Sequence, residues 1–448
     1  MRKILSVVLC ALLILALAFT TVPYSSAQDV VSLLWSDPMM VYDVAVSNDG
    51  NYIVAVNSTG IYYFAFYDPN PIWWYVASGL EHFKSVAISG DGSYVVVGDN
   101  IDFGYIYYFA DADEKSGLVT EPTWMSVNLY GSVRRGTLDM SDDGEYVVAG
   151  VMVVASVETP VVYYFADCTE RSGIGQGYDW TDNLEEGEIL AVDMSSDGKY
   201  VAAGGDNSGG FVVFYKDADQ DLGADREPNW AAWSGIVDIV RDIAVSDDGY
   251  AVVAVADPIN DHALYYWADA TNLSDDPDAT WTNDGSYGSV DMSSDGNEVV
   301  AGTTSVAPCG VHFWSNARFL SGLQDSSWNR HEGEEVLDVA ISDDGGIIAA
   351  TTVVEVEPGY EWRAYFFTSN GSEIGEFELQ TPGEVVSMSG DGSIVAIGGP
   401  SIDSLSVFRL SLPVGGELIP VPILNTIVLL ILIAIIPALA IGFKLIKK

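Results

Sequence analysis

Three aspartates at alternate positions, Asp217, Asp219 and Asp221, sit in the stretch KDADQDLG, and carboxylates spaced this way on a tight turn can converge on one hard cation. Calcium is the ion such a loop would hold. The twelve-residue calcium loop, however, wants glycine at its sixth position and a bidentate glutamate at its twelfth, where this chain has Leu222 and Pro228. A second set of acids is dispersed. Asp139, Asp193 and Asp291 stand two residues before a recurring serine, and Asp43, Asp242 and Asp338 stand four before it. Positions an even number apart share one face of a strand, so these six carboxylates line an acidic channel if their strands surround an axis. The alternative is that neighbouring backbone groups or water satisfy them. No other cofactor is expected. The four histidines, His82, His262, His312 and His331, form no H-E-x-x-H and lie in different parts of the chain, so neither a zinc hydrolase nor a Ser-His-Asp centre has a visible nucleus.

The recurring serine opens the tetrad S-x-D-G, found at Ser47, Ser89, Ser141, Ser195, Ser246, Ser293, Ser342 and Ser389, at intervals of 42 to 54 residues. A period of this length marks a propeller or a similar array. An alternating strand precedes each turn (VYDVAVS, FKSVAIS, VRDIAVS) and a valine-rich one follows it (NYIVAV, SYVVVG, EYVVAG), with Asp-Gly as the hairpin turn between them. An aromatic third strand (IYYFAFY, YIYYFA, ALYYWA) and a fourth marked by tryptophan complete the unit. Fourth strands are expected at Trp73, Trp124, Trp180, Trp230, Trp281 and Trp328, with Glu376 to Gln380 as a weaker seventh. The eighth unit has none of its own. Val30 to Ser36, which carries Trp35 and precedes the first unit, is therefore expected to complete the last blade and close the ring.

The S-x-D-G hairpins resemble those of WD40-type propellers, and FADADEKSGLVTEPTW is similar to the repeat of PQQ-like eight-bladed propellers, with extra residues between Gly117 and Trp124. The resemblance implies an all-β, eight-bladed propeller of four-stranded antiparallel blades over about residues 29 to 412, with Trp124, Trp180, Trp230 and Trp281 docking neighbouring blades. A seven-bladed ring with one stray unit is the alternative. The adjacent cysteine pair of PQQ-dependent dehydrogenases is missing, and the turns depart from sialidase Asp boxes, which do not place Gly directly after Asp.

The ends of the chain bear on its location. Residues 1–27 combine Arg2 and Lys3, an apolar run and Ser25-Ser26-Ala27, the pattern of a secretory signal. Residues 413–422 read as a linker, and Ile423 to Phe443 is an uncharged apolar stretch of 21 residues, long enough to span a bilayer as a helix. Lys444, Lys447 and Lys448 in the tail 444–448 place that end in the cytoplasm and the propeller outside. Five of the 18 Lys and Arg lie in these end segments, which leaves 13 against 64 Asp and Glu, or −51, in the exported part. Such a surface repels nucleic acid. Cys168 and Cys309 lie on opposite faces of the expected ring and are expected to be free thiols, and sequons at Asn57, Asn272 and Asn370 are expected to be exposed.

The function expected from this reading is a single-pass, membrane-anchored extracellular propeller that binds a protein or glycan of the cell envelope. Signal, acidity and anchor resemble those of archaeal surface proteins. A surface enzyme and a purely structural envelope component are the alternatives. Because the chain leaves after a third strand, the S-x-D-G face is expected to look toward the membrane, and the opposite face to carry the partner site around Tyr360 and Trp362.

Overall fold

The computed structural model describes residues 30–411 except 77–81, 101–103, 154–158, 185–186, 207–208, 221–222, 234–238, 257–261, 305–308, 358 and 402–404. Its recurring piece is the S-x-D-G turn, and the chemistry of the four residues explains their recurrence. Ser47 Oγ donates to Asp49 Oδ1 at 2.7 Å and accepts the Tyr52 amide at 3.0 Å, while Asp49 Oδ1 also accepts the Asn51 amide. The Gly50 amide closes the turn onto the Ser47 carbonyl at 2.8 Å. All eight turn glycines have φ between 64° and 79°, a region in which a Cβ is strained. Serine and aspartate thus satisfy the turn's own amides, and glycine supplies the backbone conformation.

The strands form eight separate sheets. Their inner strands are Asp43–Val46, Phe83–Ile88, Gly131–Met140, Glu188–Met194, Val240–Val245, Tyr287–Met292, Glu335–Ile341 and Val385–Met388, here blades 1 to 8. In each blade four strands pair antiparallel, and in blade 8 the outermost is Val31–Asp37, which pairs with Leu405–Leu410. The ring is closed by the chain's first described strand. The fourth strand of blade 7 runs from Glu373 to Leu379, three residues earlier than its sequence suggests.

Seven of the eight blades are keyed into the next by the tryptophan of the fourth strand; blade 7, whose fourth strand reads EIGEFEL, has none, and in blade 6 Trp328 donates to the Ser369 carbonyl at 2.8 Å. Trp73, Trp124, Trp180, Trp230 and Trp281 donate Nε1–H to the carbonyls of Ala112, Cys168, Ala218, Ala270 and Ala317 in the following blade, at 2.7 to 2.9 Å. Trp35 does the same across the closing seam, to Phe66. The indoles stack on third-strand aromatics, for example Trp180 on Tyr164 at 4.9 Å, and the Tyr164 hydroxyl donates to the carbonyl of Gly198 in the next S-x-D-G turn. The segment between third and fourth strands does more than the sequence suggests. Gly117–Val119, Gly173–Gln176, Ala224–Asp225 and Gly322–Leu323 each add a fifth, parallel strand to the preceding blade. Replacing Trp180 by Phe keeps the stacking and leaves the buried Ala218 carbonyl without its donor, which should lower stability by about 1–3 kcal/mol. Urea denaturation with an unchanged m-value and a lower midpoint is the expected reading. An unchanged midpoint would mean that the indole docks by shape alone.

Candidate functional site

The eight inner strands surround an axis, and their side chains form stacked layers along it. At the S-x-D-G end a closed circuit of hydrogen bonds crosses all eight seams. It runs from Gly390 to Asn48, from Asp49 to Gly90, and on through Asp142, Ser196, Asp247, Ser294 and Asp343 back to Gly390, at 2.8 to 3.0 Å. Asn48 also donates to Asp142 of blade 3 at 3.3 Å and hydrogen-bonds Asp343 of blade 7, which lies across the ring from blade 3. A Cβ on Gly390 would fall 1.6 Å from the Asn48 side chain. Glycine is required there because the axis is filled, so the channel is a well closed at this end.

Above that plug lie the six aspartates. Each has its primary task at a seam. Asp43 accepts its neighbour Val44 at 3.0 Å and Val86 of the next blade at 2.9 Å. Asp139 bridges to Met194, Asp193 to Val245, Asp242 to Val290, Asp291 to Ile341 and Asp338 to Val386, at 2.6 to 2.9 Å. At the closing seam Ser387 replaces the aspartate and accepts the Val46 amide. The carboxylates staple blade to blade, and three of the six, Asp43, Asp242 and Asp338, also line the well. Backbone amides satisfy all six, whereas Asp139, Asp193 and Asp291 are not among the residues that line the well.

Burial outweighs these hydrogen bonds electrostatically. It pushes Asp43 and Asp291 up to about 7 and Asp242 to about 8, with the amide donors pulling back in each case. Asp338 is raised for the same reason. Asp139 and Asp193 hydrogen-bond each other and are both raised, first by burial and, for Asp193, next by its partner's charge. Two carboxyls in contact share a proton rather than both ionise.

The mouth of the well is built by β-bulges, which the sequence does not announce. One extra residue is inserted in the inner strands of blades 2, 4, 5, 6 and 7, namely Lys84, Leu190, Arg241, Gly288 and Leu337. Blade 3 inserts three, between Val133 and Leu138, so that Arg135 and Gly136 are exposed at the mouth. Bulges re-aim side chains, and here they put cations at the axis of a strongly acidic chain. Arg135 reaches across to Glu384 of blade 8, donating to its carbonyl at 3.2 Å with its carboxylate 3.7 Å away. Lys84 Nζ lies 3.0 Å over the ring of Tyr42. The mouth and upper well enclose about 450 Å³. The surplus residues in GSVRRGTLDMS, beside the shorter inner strands of other units, were the one signal in the sequence.

Other candidate residues are dispersed. Asp219 acts on the phenols of Tyr146 and Tyr164, Asp217 acts on that of Tyr200, and Asp221 lies outside the described residues. Among the described residues no three His, Cys, Asp or Glu side chains are placed to hold a metal ion. Tyr360 is 60% exposed, whereas Trp362 is half-buried against the core of blades 7 and 8. Cys168 and Cys309 are free and buried. Asn272 and Asn370 are exposed, but Asn57 corrects the expectation of exposure. It is 8% exposed because its side chain caps a tight turn, accepting the Thr59 and Gly60 amides and donating to Met40. The apolar stretch from Ile423 to Phe443 lies outside the described residues, and among those described no helix is long and apolar enough to cross a membrane.

No family model matches the chain, and no curated protein matches it in sequence. Solved structures do. The C-terminal WD40 domain of Sif2 superposes with a TM-score of 0.60 at 12% identity, over 85% of this chain and 99% of that one. A chain of the mitotic checkpoint complex gives 0.50 at 15% identity, over 85% and 95%. At such identities the likeness shows the fold alone, and with the eight sheets described above it gives this chain the architecture of an eight-bladed β-propeller, similar to that of the WD40 domain.

Proposed function

We propose that the chain is a binding propeller of the cell surface, exported by residues 1–27, held by a helix at Ile423 to Phe443, and engaging an envelope protein through the face opposite the S-x-D-G turns. The observation that carries this reading is the second hairpin of blade 7. Its strands, Ile347–Val356 and Gly359–Thr368, are ten residues each, where the second strands of other blades have five to seven. Tyr360 is exposed near its tip. The base is stiffened by Arg363, which pairs with Glu361 at 2.6 Å and approaches Glu334 and Glu376. A rigid hairpin carrying an exposed aromatic fits the aromatic anchors that dominate interfaces, and scaffold-like binding is a common use of propellers.

Direction of the chain supports the same face. The last described strand ends with the Leu410 amide bonded to Ser393, beside the blade 8 turn, so the chain leaves on the S-x-D-G side. The hairpin and the well mouth lie on the other. Tyr360→Ala should weaken capture of envelope fragments by about tenfold or more. The variant must melt with the parent, since Tyr360 is exposed. Unchanged capture by an intact variant would refute the role of the hairpin.

A further inference from the structure

The axial well is a second feature of that face, and its chemistry is independent of the hairpin. Four acids, Asp43, Asp242, Asp338 and Glu384, line it together with two cations, Arg135 and Arg241. The charges are unevenly distributed. Arg135 contacts Glu384 and draws down both Asp43 and Asp338, so it serves the blade 7, 8 and 1 side of the well. Asp242, on blade 5, is acted on by two further carboxylates, Asp338 and Asp291, and Arg241 stands just before it at the bulge. In a bulge of this kind both residues turn to one side of the sheet, so a guanidinium and a carboxylate of one strand serve the same space.

Ser85 adds an independent polar group. It lines the same cavity, is 1% exposed, and its hydroxyl has no hydrogen-bond partner. A buried hydroxyl left unpaired is costly, and one aimed into a cavity is satisfied by whatever fills it. Leu138, Leu190 and Leu337 give the lining an aliphatic part beside Ser289, Gly136 and Gly288. About 450 Å³ falls within the range of about 300–1,000 Å³ typical of small-ligand sites.

We propose that this well binds a small zwitterion of the α-amino-acid class with an aliphatic side chain. Its carboxylate lies against the arginines of the mouth, its ammonium against Asp242, and its side chain against the leucine wall. A simple anion meets the excess of carboxylates below the mouth, and a simple amine meets the arginines on its way in. A zwitterion satisfies both layers with no change of net charge.

The test is calorimetric titration of the full-length chain at about pH 9, above the value of about 8 to which burial raises Asp242, so that its carboxylate carries its charge; the ligands are L-leucine, 4-methylpentanoate, which has only the acid, and isoamylamine, which has only the amine. Leucine should bind, and each singly charged analogue should bind about tenfold or more weakly than it, since a charge-assisted hydrogen bond is lost. Arg241→Gln should abolish the advantage of leucine over the amine, and Asp242→Asn its advantage over the acid. Asp242 also staples a seam, so Leu337→Trp is the companion variant. It fills the well from a bulge position and should abolish binding with the melting temperature kept. Absence of leucine binding up to about 10 mM, or equal binding of leucine and isoamylamine, overturns the proposal. Either result leaves the hairpin reading standing, because capture through Tyr360 is measured without leucine.

Discussion

A chain that begins after Ser36 will lose cooperative unfolding and aggregate. Val31–Asp37 supplies the outer strand of blade 8, pairing from Val31 to Leu410 through to Asp37 and Leu405. Without it the edge of Leu405–Leu410 is open, and an unpaired edge is a template for intermolecular pairing. Two cores are uncovered as well. Trp35 belongs to the cluster between blades 8 and 1, where its ring lies 5.5 Å from Phe64 and its indole bonds Phe66 at 2.7 Å. Val31 belongs to the cluster between blades 7 and 8. Each buried side chain contributes about 1.5–3 kcal/mol, and the sum with the lost ladder is comparable to a whole domain's stability of about 5–15 kcal/mol. Thermal unfolding followed by tryptophan fluorescence checks this. A shortened chain that melts with the parent would show that the ring closes without this strand. Supplying Val30 to Asp37 as a free peptide should restore part of the transition, which separates loss of the strand from general misfolding.

The ring and its closure were legible because both are written in local chemistry. S-x-D-G satisfies its own turn, so it must recur wherever the turn recurs, and a tryptophan strand without a partner at one end implied a blade without a fourth strand at the other. The well was only half legible. The even spacing of Asp43, Asp139 and their equivalents placed them on one strand face, but that each carboxylate reaches the amide of the next blade follows from how blades pack, which no single strand records. The bulges at Lys84, Arg241 and Leu337 were invisible for a related reason. One inserted residue leaves the alternation readable on either side, and only pairing with the second strand shows which residue is extra. Asn57 misled for the opposite reason. Its sequon is a three-residue pattern, whereas its burial comes from Met40, seventeen residues away.

The propeller should become less stable as pH rises from 5 to 8, against the usual behaviour of paired carboxylates. Burial raises Asp43 and Asp291 to about 7 and Asp242 to about 8, and raises Asp338 and the Asp139–Asp193 pair, above the ordinary value near 3.8 that the unfolded chain keeps. Between these values the folded state holds protons that the unfolded state has released, so stability falls as pH rises. The contribution is complete below about pH 4 and is lost through about pH 7 to 8. A carboxyl titrating alone contributes about 1.4 kcal/mol per pH unit, and because several share one well and repel as they ionise, the total is on the order of 5 kcal/mol. The acidic surface pushes in the same direction, so the comparison that isolates the well uses single variants. Asp242→Asn removes one channel charge, and Asp111→Asn removes one charge from an exposed position whose left-handed backbone asparagine tolerates. Asparagine at 242 can accept only one of the two amides that Asp242 serves, so this variant should be the weaker of the two at pH 5. By pH 8 its deficit should shrink or reverse, because it no longer carries a charge that the well disfavours. Guanidinium melts at the two pH values measure the crossing. A deficit that stays constant from pH 5 to 8 would mean that Asp242 is ionised throughout and that water in the well solvates it as well as bulk water does.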